Sequence, residues 1–231
     1  MATEDMAQSV ISFALPDGRL DLAIRELDRW AEHLTAVYRA LGVRESAGIG
    51  IVDFGSSPVA FLASRLITAG LERGVAERLP GAVICLDASR DRVALVPSIL
   101  QQVQIDVLVV RSEVVPLLVA ILRESGESVA ERLPLVTVDL GARAWEQALP
   151  SSGWRRLLVV ERSLLIAPEC GACRSFHLDP DRYLVDAEQG TVSAAGTDLH
   201  QTLPTRARLV RGGCAIDSGC WRILGPDAEA A

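Results

Sequence analysis

Ile49-Gly-Ile-Val-Asp-Phe-Gly-Ser-Ser-Pro58 is the stretch on which the fold turns. Ile49 to Phe54 reads as a short buried strand. Gly55-Ser-Ser-Pro58 then turns the chain into a helix, with serine as N-cap and proline in the first turn, and the helix is expected to run to about Gly74. A strand, a Gly/Ser turn and a helix make one βα unit. Such a turn can bind an anion through free backbone amides, so Gly55, Ser56 and Ser57 are candidate ligand contacts; a plain connection explains the same residues, and neither a G-x-G-x-x-G nor a G-x-x-x-x-G-K-[ST] loop is present.

Working outward, the same pattern repeats. Ala82-Val-Ile-Cys-Leu86, Ile105-Asp-Val-Leu-Val-Val110 and Leu135-Val-Thr-Val-Asp-Leu140 are short apolar runs separated by helical patterns, as a mostly parallel sheet covered on both faces requires. Pro97 and Pro116 belong in first turns or kinks of the intervening helices, because deeper positions would cost about 3 kcal/mol each. Cys85 reads as a small buried hydrophobe. Upstream, Leu20, Ile24, Leu27, Trp30, Leu34, Val37 and Leu41 advance by three and four, which predicts a helix closed by Gly42 with His33 on its polar side. Val75-Ala-Glu-Arg-Leu-Pro80 recurs as residues 129–134, too short a match to establish a duplication. A helix is expected around 142–149, a turn at 150–153, and strands at 156–160 and 164–167.

From Phe176 onward the apolar runs shorten to Tyr183-Leu-Val, Thr191-Val and Arg208-Leu-Val between Asp, Gly and Pro, which predicts a small antiparallel β region. The expected fold class is therefore α/β, a mostly parallel sheet with helices on both faces followed by that β region.

Composition narrows the function. The 231 residues are 49% hydrophobic and 23% charged, which excludes general disorder, and the net charge of -7 lacks the basic surplus of a nucleic-acid binder. Met1-Ala-Thr-Glu-Asp lacks the basic and apolar character of a secretory signal, and no apolar run reaches the ~20 residues of a membrane span. A cytoplasmic protein with neither nucleic-acid nor membrane partners is expected, and there close cysteine pairs suit metal better than disulfides.

Trp30-Ala-Glu-His-Leu-Thr-Ala-Val-Tyr-Arg-Ala-Leu-Gly-Val43, Ile51-Val-Asp-Phe-Gly-Ser-Ser-Pro58 and above all His177-Leu-Asp-Pro-Asp-Arg-Tyr-Leu-Val185 resemble the phenylacetate-CoA ligase branch of the adenylate-forming enzymes. Members of that branch activate a carboxylic acid with ATP and pass the acyl group to coenzyme A. The resemblance implies a structural zinc held by Cys170 and Cys173 on one side and Cys214 and Cys220 on the other, with His177 as alternative ligand. Read from spacing alone, the C-x-x-C and C-x5-C pairs can complete a tetrahedral zinc shell; disulfides and unliganded thiols remain the other readings, and His177 could be a core or surface imidazole.

Departures from the family pattern shape the expected function. No Ser/Thr/Gly-rich loop ending in lysine is present, Thr205-Arg-Ala-Arg-Leu-Val-Arg-Gly-Gly213 ends in glycine where the family has a ribose-binding aspartate, and a lid domain has no room in 231 residues. These imply a shortened relative that binds no ATP and does not activate an acid. The expectation is a pseudoenzyme acting as an accessory or acyl/CoA-ligand-binding subunit, as a homo-oligomer or with a partner subunit; the alternative is an enzyme of a different acyl-transfer or thioester reaction. Arg206, Arg208 and Arg211 are candidate contacts to a coenzyme A phosphate, against a solvated strand face as the plainer reading. The expected organisation is a flexible arm over 1–18, an α/β domain over 19–168, a zinc-clasped β region over 169–224 and a frayed tail over 225–231.

Overall fold

The computed structural model describes residues 10–15, 18–55, 57–63, 73–129, 132–140, 153–205, 207–216 and 219–225. The chain divides into two compact units, one of residues 1–136 and 150–155 and the other of 137–149 and 156–231. The division falls near residue 136, inside a strand.

The first unit opens on a hairpin. β1 (Val10–Leu15) and β2 (Gly18–Ala23) pair antiparallel, with Val10 opposite Ala23 and Leu15 opposite Gly18. Residues 10–15 are thus a strand where a flexible arm was expected, and the helix starts later than Leu20. Leu20 and Leu22 are both buried on β2. Their period-two spacing satisfies the sheet, and a helical reading simply absorbed it because Leu20, Ile24 and Leu27 also fit period 3.6. After a 3-10 turn, helix α1 (Leu27–Ala40) buries Leu27, Trp30, Ala31, Leu34, Val37 and Tyr38. His33 is buried too, at 2% exposure, with its ring edge-on to Trp30 at 5.9 Å. The expected solvated face at His33 is corrected: the helix is covered over a wider arc than the aliphatic stripe indicates.

Next come β3 (Ile49–Asp53), buried at every position, then α2 (Pro58–Ala63), α3 (Val75–Arg78), β4 (Val83–Asp87), α4 (Arg90–Val93), α5 (Val96–Gln102), β5 (Val107–Arg111), α6 (Val115–Ser125) and β6 (Leu133–Val138). Pro97 and Pro116 occupy first turns of α5 and α6, as expected. α6 ends on Gly126 at φ 72°, a left-handed cap that glycine adopts without steric cost. In this unit the sheet runs β4, β3, β5, β6, with β3 parallel to both β4 and β5. Cys85 lies on the edge strand β4 and is exposed, which corrects its reading as a buried hydrophobe: an edge strand has a neighbour on one side only. The end of the helix towards Gly74, the helix expected at 142–149 and the turn residues 150–152 lie outside the described residues.

Two glycines let the strands start close together. The Gly48 carbonyl accepts from the Asp106 and Val107 amides at 2.8 and 3.0 Å, and its own amide donates to the Asp106 carboxylate at 2.7 Å. A Cβ on Gly48 would run into the Gln104 carbonyl, and one on Gly81 into the Ala47 carbonyl.

Among its described residues the second unit has strands, turns and one 3-10 turn (Glu161–Ser163), with no α-helix. β7 (Arg155–Val160) begins at its border and pairs antiparallel with β8 (Leu165–Pro168). β9 (Phe176–Leu178), β10 (Tyr183–Asp186), β11 (Thr191–Ala194), β12 (His200–Thr202), β13 (Arg208–Arg211) and β14 (Trp221–Leu224) form two small antiparallel sheets, ordered β10-β11-β12 and β13-β14-β9. Tyr183 is buried and ties β10 to β8: its hydroxyl donates to the Leu164 carbonyl and accepts from the Ile166 amide, both at 2.8 Å. Burial pushes its phenol well above the ordinary range, so it stays a neutral donor. No described helix is long and apolar enough to cross a membrane.

Candidate metal centre

The cysteine segment is a tight loop between β8 and β9. The Cys170 amide donates to the Ser175 carbonyl at 2.8 Å, the Arg174 amide donates back to the Cys170 carbonyl at 2.9 Å, and Glu169 bridges Phe176. Arg174 sits at φ 55°, which closes the loop, and Glu169 is held by Arg156 at 2.6 Å and Arg174 at 3.5 Å. These constraints aim Cys170 and Cys173 to one side, and His177 follows in the middle of β9.

The second arm is the β13–β14 connection. β14 pairs with β9 so that Arg222 faces His177. Gly212 and Gly213, at φ 69° and 78°, turn the chain back, and the Gly212 amide donates to the Cys220 carbonyl at 2.9 Å. Only glycine suits position 213, where a Cβ would also stand 2.8 Å from the Arg222 guanidinium. Cys214 is thereby delivered, buried, beside Cys170.

The donor atoms of Cys170, Cys173, His177 and Cys214 all lie within 4.8 Å of one another. Cys170 Sγ is 3.7 Å from Cys214 Sγ, and Cys173 Sγ is 3.1 Å from His177 Nε2. A tetrahedral zinc with Zn–S of about 2.3 Å separates its sulfurs by roughly 3.8 Å, so the spacing and the three-sulfur, one-nitrogen donor set fit that ion. Cys220 Sγ lies at the opposite ring nitrogen, 3.3 Å from His177 Nδ1, outside that mutual cluster. The spacing of the cysteines pointed to Cys170, Cys173, Cys214 and Cys220 with His177 as alternative; the structure groups the first three with His177 and puts Cys220 at the other ring nitrogen.

Behind the cluster, the buried Ser175 hydroxyl lies 2.8 Å from Cys173 Sγ and accepts from Arg222 Nη1 at 3.4 Å. Burial pushes the Cys173 thiol up, but hydrogen bonds from Ser175 and His177, with Arg222 beyond, outweigh it and bring the thiol down to about 5. Burial raises Cys170 instead. One sulfur is thus poised as thiolate, the form a metal binds.

The ligand candidates distribute differently. In the first unit, β3 lies between β4, which follows it, and β5, which comes later: the chain reverses direction across the sheet at β3 and β5, and ligands of open α/β sheets bind beyond the strand ends at such a point. There Gly55 follows the strand and Ser57 is buried, its hydroxyl accepting from the Ala60 amide at 3.4 Å as an N-cap. Ser56 lies outside the described residues. Residues the sequence did not single out complete this end. Asp53, 6% exposed, accepts from the Phe54 amide at 2.7 Å and from Arg111 at 3.2 Å; Arg111 also pairs with Glu113 at 3.4 Å and stands 5.0 Å over the Phe54 ring. In the second unit, Arg208 and Arg211 are exposed on β13, and Arg206 lies outside the described residues.

The arrangement of these elements is similar to that of solved acyl-CoA ligases. 2-Hydroxyisobutyryl-CoA ligase, solved with 2-HIB-AMP and CoA in the thioesterification state, superposes with a TM-score of 0.58 at 12% identity over 96% of this chain and 52% of that one. Its open conformation gives 0.56 at 12% identity over 96% and 54%. An acyl-CoA synthetase (AMP-forming)/AMP-acid ligase II-like protein from Dyadobacter fermentans gives 0.51 at 16% identity over 94% and 59%. The chain therefore spans little more than half the length of these structures. No protein-family model matches it, and no curated protein does.

Proposed function

We propose that this chain is a non-adenylating relative of the acyl-CoA ligases that holds an acyl- or aryl-CoA-type ligand as an accessory subunit, with a structural zinc closing its β region. The observation that carries the reading is the end of β3 and β5. Arg111 is matched there by Asp53 and Glu113, while Phe54 keeps 40% of its surface exposed. An end so neutralised and aromatic suits an uncharged acyl or aryl group better than a triphosphate, which needs unpaired cations. The basic residues agree: all 23 are arginines, so within these residues no lysine is at hand for phosphate or adenylate chemistry. The neighbouring ligase was solved with CoA and an acyl-adenylate, which makes the CoA-ester class the natural ligand to test. Arg208 and Arg211, exposed on β13 of the second unit, are by themselves candidate contacts to an anion, and a partner subunit or a second copy supplies what the fold lacks. Metal thiolates suit a reducing, cytoplasmic setting.

The test pairs two measurements on the purified full chain: ATP-dependent pyrophosphate exchange over a panel of aryl and short acyl acids, and thermal shift with phenylacetyl-CoA, benzoyl-CoA and free CoA. No exchange and a raised melting temperature with at least one CoA ester are expected. Exchange with any acid overturns the non-adenylating reading; the absence of a shift with every ester overturns the ligand class.

A further inference from the structure

We infer that Cys220 is a positioning residue for the metal ligand His177, accepting the Nδ1 proton so that Nε2 faces the metal beside Cys170, Cys173 and Cys214. The inference rests on the metal reading above and says which of five sulfur and nitrogen donors binds from outside the shell.

The His177 ring is stretched between two sulfurs, with Cys173 Sγ 3.1 Å from Nε2 and Cys220 Sγ 3.3 Å from Nδ1. Cys170, Cys173, His177 and Cys214 already make a closed four-donor set, and Cys220 is not within its mutual 4.8 Å. A neutral imidazole that binds metal through one nitrogen carries its proton on the other, and that N–H needs an acceptor. Cys220 meets the requirement: it is 5% exposed, so water competes poorly for the ring proton. Its backbone is also anchored, since its carbonyl accepts from the Gly212 amide at 2.9 Å and the next residue enters β14 opposite Leu178, one position from His177. The pairing of β9 with β14 thus sets the distance between ring and sulfur.

The test uses the zinc-loaded full chain as wild type, Cys220→Ala and Cys220→Ser. X-ray absorption counts sulfur and nitrogen neighbours, chelator competition reads affinity, and 15N NMR locates the ring proton. Three sulfurs and one nitrogen are expected in all three proteins, with the proton on Nδ1. Affinity should fall about 10–100-fold in Cys220→Ala, the range for loss of an outer-shell partner, and recover most of that in Cys220→Ser, which keeps an acceptor. Four sulfurs in the wild type, loss of one sulfur in Cys220→Ala, or equal affinity in wild type and Cys220→Ala each overturn the assignment. Should Cys220→Ala fail to fold, the wild-type spectrum and the serine variant decide alone. A wild type that binds no zinc brings down the metal reading itself, a result distinct from zinc bound through four sulfurs.

Discussion

At the scale of single residues, the thiols proposed as zinc ligands and the Asp53 carboxylate carry the sharpest consequences. Cys173→Ser and Cys214→Ser each remove a proposed ligand and should lower zinc affinity by more than about 100-fold, beyond the range for loss of a partner behind a ligand; elemental analysis of protein purified without added zinc measures the loss. One zinc per chain retained in either variant would remove the site. Asp53→Asn keeps the shape but leaves the Arg111 guanidinium with a weaker partner and the Phe54 amide less well capped. A destabilisation of about 1–3 kcal/mol is expected in urea unfolding, with little change in Arg111→Gln/Asp53→Asn beyond the single variants, because the two groups share one interaction. The cysteines were legible because C-x-x-C is a local pattern. Burial of His33 was not, because a single polar residue on an amphipathic helix takes its environment from whatever packs over it.

At the scale of elements, the strand starts depend on two glycines. Gly48→Ala and Gly81→Ala should each destabilise the first unit by about 1–3 kcal/mol, since the new methyl meets backbone carbonyls that cannot move without shifting a strand, whereas Gly126→Ala, with open space around its Cβ, should lose only the left-handed cap. Chemical denaturation of the three variants side by side checks the ranking. The alternating βα order from residue 49 to 138 could be read from apolar runs and proline positions, because β3, β5 and β6 are buried along nearly their whole length. The hairpin at 10–23 could not: a six-residue strand with two buried leucines also satisfies a helical period, and the pairing of Val10 with Ala23 that resolves the ambiguity is not a property of either segment alone.

For the whole molecule, the zinc proposed above has all its ligands in one of the two compact units. Chelation should strip hydrogen-exchange protection from β9, β13 and β14, which carry the metal loops or pair beside them, while β3 and β5 keep theirs, because structural zinc contributes its binding free energy to the folding of the segment that holds it. Equal protection with and without chelator would show that the β unit folds independently of the ion. By itself the sequence determined the α/β class, the short β strands after residue 176, and the cysteines from which a metal shell could be built, since hydrophobic period and C-x-x-C spacing are local quantities. Only the tertiary structure decided that the unit boundary falls inside β6, that His177 stands among three cysteines while Cys220 backs its ring, and that Arg111 is answered by Asp53. Each of these depends on residues tens of positions apart meeting at a distance of a few ångströms, which strand pairing sets and chain order does not.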